Sequence, residues 1–220
     1  MPLKKQFTYI AFFDLDETIL SVNSANYLVK ESRERGMMTK RQFRQAVRYS
    51  LLYKFKLSKA TRIIYKMLAW LKGLSRAELD TMCQEVYDRT LFDLIRPEII
   101  KEIDGHRQNN AAIVLLSSAT TFACLPVVRH LKMDDVICSH MEDVDGILTG
   151  KPKDKIVFGE EKKHKLIEYC ETEGYKVEDA YYYGDAFSDL HLLEAVGHPV
   201  SFSPETPLTK VAVKSGCIIL

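Results

Sequence analysis

The sequence contains no Cys-x-x-Cys pair, and its five cysteines (Cys83, Cys124, Cys138, Cys170, Cys217) are odd in number and widely scattered. A disulfide framework or a structural zinc site is therefore excluded, and reduced structural thiols in a cytoplasmic setting are expected. Six histidines show no zinc-ligand spacing. No stretch of about 18 uncharged apolar residues occurs, so no transmembrane helix is expected. The apolar run near the start meets Asp14 and Asp16 almost at once, which makes a poor signal peptide. There is no internal repeat and no low-complexity segment. Proline is missing from 24–94, and acidic residues are missing from 39–76.

The second absence divides the chain. The whole sequence holds 31 basic and 30 acidic residues, yet 39–76 alone carries 11 Lys and Arg. One segment is strongly cationic and the remainder net acidic, a split expected of two modules with different partners. At 46% hydrophobic and 28% charged, the 220 residues can bury a core and are not disordered.

The apolar rhythm gives the elements. Tyr9–Phe13 reads as a buried strand that ends abruptly in acidic residues. Residues 24–94 read as helical, with Ile63, Ile64, Met67, Leu68 and Leu71 at helical spacing and Gly36 and Gly73 at helix ends. Pro97 opens a helix to about Asn109. Then come a strand at Ala111–Leu116, a helix at Phe122–Leu131 and a short strand at Val136–Ser139. Asp145-Gly146 marks a turn between two extended stretches. A helix at Glu160–Glu173 closes at Gly174. Ala180–Tyr183 is a strand, Ser188–Val196 a helix, His198–Phe202 a strand and Leu208–Ser215 a final helix closed by Gly216. This alternation predicts an α/β fold with a doubly wound parallel sheet. The helical block interrupts it, so 1–22 and 95–220 are expected to form the core and 23–94 a helical cap.

In such sheets ligands bind beyond the carboxyl ends of the strands. After the first strand stand Asp14 and Asp16. One carboxylate can attack phosphorus and the other shuttle a proton, although a bare Asp-x-Asp taken alone reads more readily as a solvated acidic loop. After the second strand, Ser117-Ser118-Ala119-Thr120 offers hydroxyls and amides suited to phosphate, or an ordinary helix N-cap. Asp185 and Asp189 follow a later strand. With Asp14 they could hold a hard cation such as magnesium, or one of them could cap a helix. Lys162, at the start of a helix, is either a surface lysine or a cation offsetting Asp14.

The segments DLDET (14–18), LLSSA (115–119), GEEK (159–162) and GDAFSD (184–189) closely resemble the four motifs of the haloacid dehalogenase superfamily. IRPEII (95–100), DGILTGK (145–151), 182–204 and LTKVAVKSG (208–216) are similar to its phosphoserine phosphatase-like branch, which has a Rossmann-like core and carries a helical cap between the first two motifs. The resemblance implies a magnesium-dependent phosphatase with Asp14 as nucleophile and metal ligand. Asp16 would be the acid and base, with its backbone carbonyl on the metal. Thr18 would support that loop and, with Ser117, Ser118 and Lys162, make up the phosphate-binding side. Asp185 would complete the metal site and Asp189 brace it. Dehalogenases of this fold lack the second carboxylate, because a halide needs no proton and an alkoxide does.

The substrate expected is a small acidic phosphomonoester. Phosphoserine itself is disfavoured, since Asn23 stands where enzymes of that branch carry a glutamate for the substrate amine, and Ser188 where they carry asparagine. The basic block could instead dock an anionic membrane and present phospholipid headgroups, with Phe43, Tyr49, Tyr53, Phe55, Tyr65 and Trp70 interleaved, or these aromatics could be the core of the cap. Nucleic acid is not expected. A phosphotransferase or mutase, or a non-catalytic phosphate-binding module, would use the same motifs. Cys217-Ile218-Ile219-Leu220 has the form of a prenylation box, but reads better as the end of the fold.

Overall fold

The computed structural model describes residues 6–54, 60–185, 187–202 and 218–219. Its centre is a six-stranded sheet in the order β3-β2-β1-β6-β7-β8, with every pairing parallel. The strands are β1 (Ile10–Phe13), β2 (Ala112–Thr120), β3 (Asp135–Ser139), β6 (Tyr181–Gly184), β7 (His198–Ser201) and β8 (Ile218–Ile219). The helices are α1 (Ser24–Glu34), α2 (Lys40–Lys54), α3 (Ala60–Leu68), α4 (Arg76–Val86), α5 (Pro97–Gln108), α6 (Thr121–His130), α7 (Glu160–Glu173) and the single turn α8 (Leu190–Leu193).

Strand β1 is apolar throughout because both its faces are covered. Ala11 and Phe13 point into a cluster with Ile99 and Ile103 of α5 and Phe122 and Val127 of α6. Ile10 and Phe12 point into a second cluster with Leu166 and Cys170 of α7 and Leu192 and Leu193 of α8. Alternation at period two thus feeds both layers at once. Phe13 also stacks on Tyr183 of β6, with ring centroids 4.4 Å apart. The chain turns one way from β1 to β2 and the other way to β6, so the direction of winding reverses between β1 and β6.

Most element limits follow the apolar pattern, and two differ markedly. Strand β2 runs on through Ser117–Thr120, because Thr120 pairs with Ser139 of β3 after an irregularity between Leu116 and Thr120. The helix expected over Ser188–Val196 is only a 3-10 turn (Phe187–Asp189) followed by α8. The 145–146 turn joins a hairpin, β4 (Met141–Val144) and β5 (Ile147–Pro152), which stands apart from the main sheet.

That hairpin reaches the helical block. Gly73 N–H donates to the Leu148 carbonyl, Leu148 N–H to Leu74 and Arg76 N–H to Gly146, while Arg76 pairs with Asp143 at 2.8 Å. At Gly150, φ is 77° and an added Cβ would lie 2.9 Å from the Cβ of Lys72, so the close approach needs glycine. The block's two chain connections meet in an antiparallel bridge between Leu20 and Ile95.

Cys83, Cys124, Cys138 and Cys170 are free and buried. Burial pushes the thiols of Cys83 and Cys170 up to about 12, which leaves them unreactive. Among the described residues no helix is long and apolar enough to cross a membrane. The expected helix at 208–215 with its closing Gly216, Cys217 and Leu220 lie outside the described residues. Ile218 and Ile219 pair in parallel with Val200 and Ser201.

Candidate active site

Three strand ends meet where the winding reverses. Asp14 leaves β1 still extended, its N–H donating to the Tyr183 carbonyl of β6. Its Oδ1 accepts from Leu15 N–H at 2.8 Å. The chain then turns tightly through Leu15–Ile19, with Glu17 in the left-handed region at φ 60°. Half-buried Asp16 lies in this turn, where its Oδ1 accepts the N–H of Ser24, the first residue of α1, at 2.7 Å. Burial pushes the Asp16 carboxyl up to about 6, against the opposing pull of the Ser24 hydrogen bond.

Across the sheet, β6 delivers Asp185 and the following 3-10 turn delivers Asp189. Asp14, Asp185 and Asp189 each place a carboxylate oxygen within 4.8 Å of the others. Burial, then the charges of Asp14 and Asp189, push Asp185 up to about 7. Burial likewise raises Asp189, with Lys162 opposing.

Lys162 is 1% exposed. Its Nζ lies 3.2 Å from Asp14 Oδ1 and 3.2 Å from Asp189 Oδ1. Burial would drive its proton off, but Asp14 and Asp189 together outweigh this and raise its pKa, so it is an ammonium. It reaches the site because α7 begins just after Gly159 and Lys162 lies on its inward face.

One residue of this network gave no sequence signal. The hydroxyl of Tyr182, in the middle of β6, accepts from Lys162 Nζ at 2.7 Å and donates to Asp189 Oδ2 at 2.9 Å. A tyrosine in a buried strand reads as core. Gly184 makes room for the pair: a Cβ there would lie 2.8 Å from the Tyr182 ring and 3.0 Å from Asp189 Oδ2.

The remaining candidates spread around this centre. Ser117 is buried at the β2 irregularity, and its Oγ accepts from Ala119 N–H at 3.2 Å. Ser118 is half-buried, with its carbonyl taking the Ser139 hydroxyl at 3.1 Å. Thr18 is fully buried and its hydroxyl donates to Asp185 Oδ1 at 3.4 Å. The structure therefore places Thr18 beside Asp185, its side chain directed inward toward the end of β6.

The donor set fits a small hard cation. It is made of oxygen alone, and Lys162 supplies one positive charge against three carboxylates. The raised Asp185 marks the deficit that a divalent ion would fill. Both oxygens of Asp189 are already engaged by Lys162 and Tyr182, which leaves Asp14 and Asp185 as the freer donors.

The chain is similar to known proteins in sequence and in fold. A family model described as haloacid dehalogenase-like hydrolase matches residues 11–194. A phosphoserine phosphatase of Mycobacterium tuberculosis is 27% identical over 214 residues, covering 95% of this chain and 69% of its own length. A protein of unknown function from Bordetella pertussis superposes with a TM-score of 0.88 at 23% identity, over 98% of this chain and 99% of that one. A substrate-bound phosphoserine phosphatase superposes at 0.71 and 16% identity, over 98% and 94%.

Proposed function

The chain belongs to the haloacid dehalogenase-like hydrolase family, and from that premise we propose that it is a magnesium-dependent phosphatase of small phosphomonoesters, acting through an aspartyl-phosphate on Asp14. The observation that carries this reading is the buried ion pair of Lys162 with Asp14, set beside Asp185. Relatives named as phosphatases, aligned over almost the whole chain, support it.

In the first step an Asp14 oxygen bonds to phosphorus as the ester P–O bond breaks, and Asp16 gives its proton to the departing alkoxide. In the second, water attacks the same phosphorus, Asp16 takes the water's proton, and inorganic phosphate leaves Asp14. One group must therefore be protonated and then deprotonated in a single cycle, and a carboxyl near 6 can be both. Lys162 and the amides and hydroxyls around Ser117 would face the phosphoryl oxygens and neutralise charge as it develops. Magnesium, held by Asp14 and Asp185, by the Asp16 carbonyl and by Asp189 as a brace, would supply further positive charge to those oxygens.

Residues 23–94 are assigned as a helical cap over a core of 1–22 and 95–220. The cap is supported by its position between β1 and β2, and the β4–β5 hairpin adds to its floor. Asn23 starts α1 as an N-cap without a carboxylate, so nothing at that position pairs with a substrate amine, and an acidic ester other than phosphoserine is favoured. The four buried thiols fit a cytoplasmic enzyme.

The test is phosphate release from p-nitrophenyl phosphate, phosphoserine, sugar phosphates, nucleotides and short-chain lipid phosphates, with and without magnesium, for wild type and Asp14→Asn. Magnesium-dependent turnover abolished by the substitution is expected. No turnover on any ester by folded protein would overturn the assignment in favour of phosphoryl transfer to a second substrate or simple phosphate binding.

A further inference from the structure

The cationic segment resolves into two helices whose outward faces carry more than charge. On α2, Arg44, Val47, Arg48 and Leu51 stand at helical spacing and all are exposed. Val47 is 44% exposed and Leu51 51%. Lys40 and Arg41 are exposed at the helix start. On α3, Arg62, Tyr65 and Lys66 form a second exposed strip, and Lys66 Nζ lies 5.6 Å from the Tyr49 ring, so the strip borders α2.

Among the described residues, none of Lys40, Arg41, Arg44, Arg48, Arg62 and Lys66 has an ion-pair partner. The aromatics Phe43, Tyr49 and Trp70 are half-buried, and Trp70 packs against the main apolar cluster. The exposed apolar groups are instead Val47, Leu51 and Tyr65.

We propose that this α2–α3 face docks the protein on an anionic phospholipid bilayer. Unpaired Arg and Lys match anionic headgroups in charge, and aliphatic side chains on the same helical stripe fit the headgroup–acyl boundary. A nucleic acid would use the cations but gain little from exposed Val47 and Leu51. Two half-exposed aliphatics make the contact weak and reversible. The proposal concerns partitioning and is independent of the reaction above.

The test is co-sedimentation of the full chain with phosphatidylcholine vesicles and with vesicles that also contain phosphatidylglycerol. Binding to the mixed vesicles alone, weakened by added salt, is expected. Arg44→Gln/Arg48→Gln should lower the partition coefficient by about fivefold for each charge removed. Val47→Ser/Leu51→Ser should lower it severalfold at unchanged net charge. Both variants should keep wild-type thermal stability and activity on a soluble ester, which shows that they fold. The proposal is overturned if folded wild type fails to bind the mixed vesicles or binds both kinds equally. It is also overturned if Val47→Ser/Leu51→Ser binds like wild type while duplex DNA competes, since the face would then read polyanions in general.

Discussion

Lys162 reaches Asp14 from a helix start far along the chain, placing a buried ammonium 3.2 Å from the candidate nucleophile. The same nitrogen holds Asp189, so one cation organises carboxylates from two strand ends. Lys162→Met keeps the side chain's bulk and removes its charge. Turnover should fall by about 10²–10³-fold, the cost of losing one preorganised donor. Stability should drop by about 3–5 kcal/mol, because buried carboxylates lose their partner. Steady-state kinetics and urea unfolding would measure both, and added magnesium should recover part of the stability and little of the rate.

Asp16→Asn should lower turnover by about 10²–10⁴-fold, the usual contribution of a general acid and base. The loss should be smaller for p-nitrophenyl phosphate than for an alkyl phosphate, because nitrophenolate departs without a proton. Equal losses on both esters would remove Asp16 from the role of acid.

Asp185 and Asp16 both have folded-state values raised above the ordinary carboxylate range, to about 7 and about 6. The native state therefore binds protons more tightly than the unfolded chain. Their contribution is full below about pH 4 and is lost as pH rises through those values. Magnesium opposes this at Asp185, where it competes with the proton for the same carboxylate oxygens. Its thermal stabilisation of the protein should be larger at pH 8 than at pH 5.5, and calorimetric binding near pH 6.5 should release protons into the buffer.

Gly184→Ala places a Cβ against the Tyr182 ring and Asp189 Oδ2. The rigid strand cannot move away, so Asp189 must shift and loosen its hold on Lys162. A stability loss of about 1–3 kcal/mol is expected, together with weaker magnesium binding, as read by thermal melts across a magnesium titration.

Much of this site could be read from the sequence for a physical reason. An apolar run covered on both faces must end before a charge, so Asp14 and Asp185 marked the ends of β1 and β6 in the bare sequence. The hidden parts depend on contacts without local pattern. Tyr182 is indistinguishable from core until Lys162 is seen to reach it. The Ser24 amide that holds Asp16 is a backbone group, which no residue type announces. The reach of Thr18 to Asp185 follows from a turn whose left-handed Glu17 is not a residue type that signals one. The hairpin at 141–152 was legible as a turn, but its attachment to 73–76 rests on backbone hydrogen bonds between distant segments.

The strand order also governs how the molecule comes into being. β1 emerges from the ribosome early and finds β2 and β3 on one side, but the strand that belongs on its other side is made much later. Until β6 arrives, the nascent chain presents Ile10–Phe13 as an open, uncharged edge, the kind of template that pairs with foreign strands. Asp14 and Asp16 are present throughout that interval without Asp185 or Asp189. A chain arrested halfway would be at once inert and prone to aggregate, and closing the β1–β6 seam ends both conditions in one event.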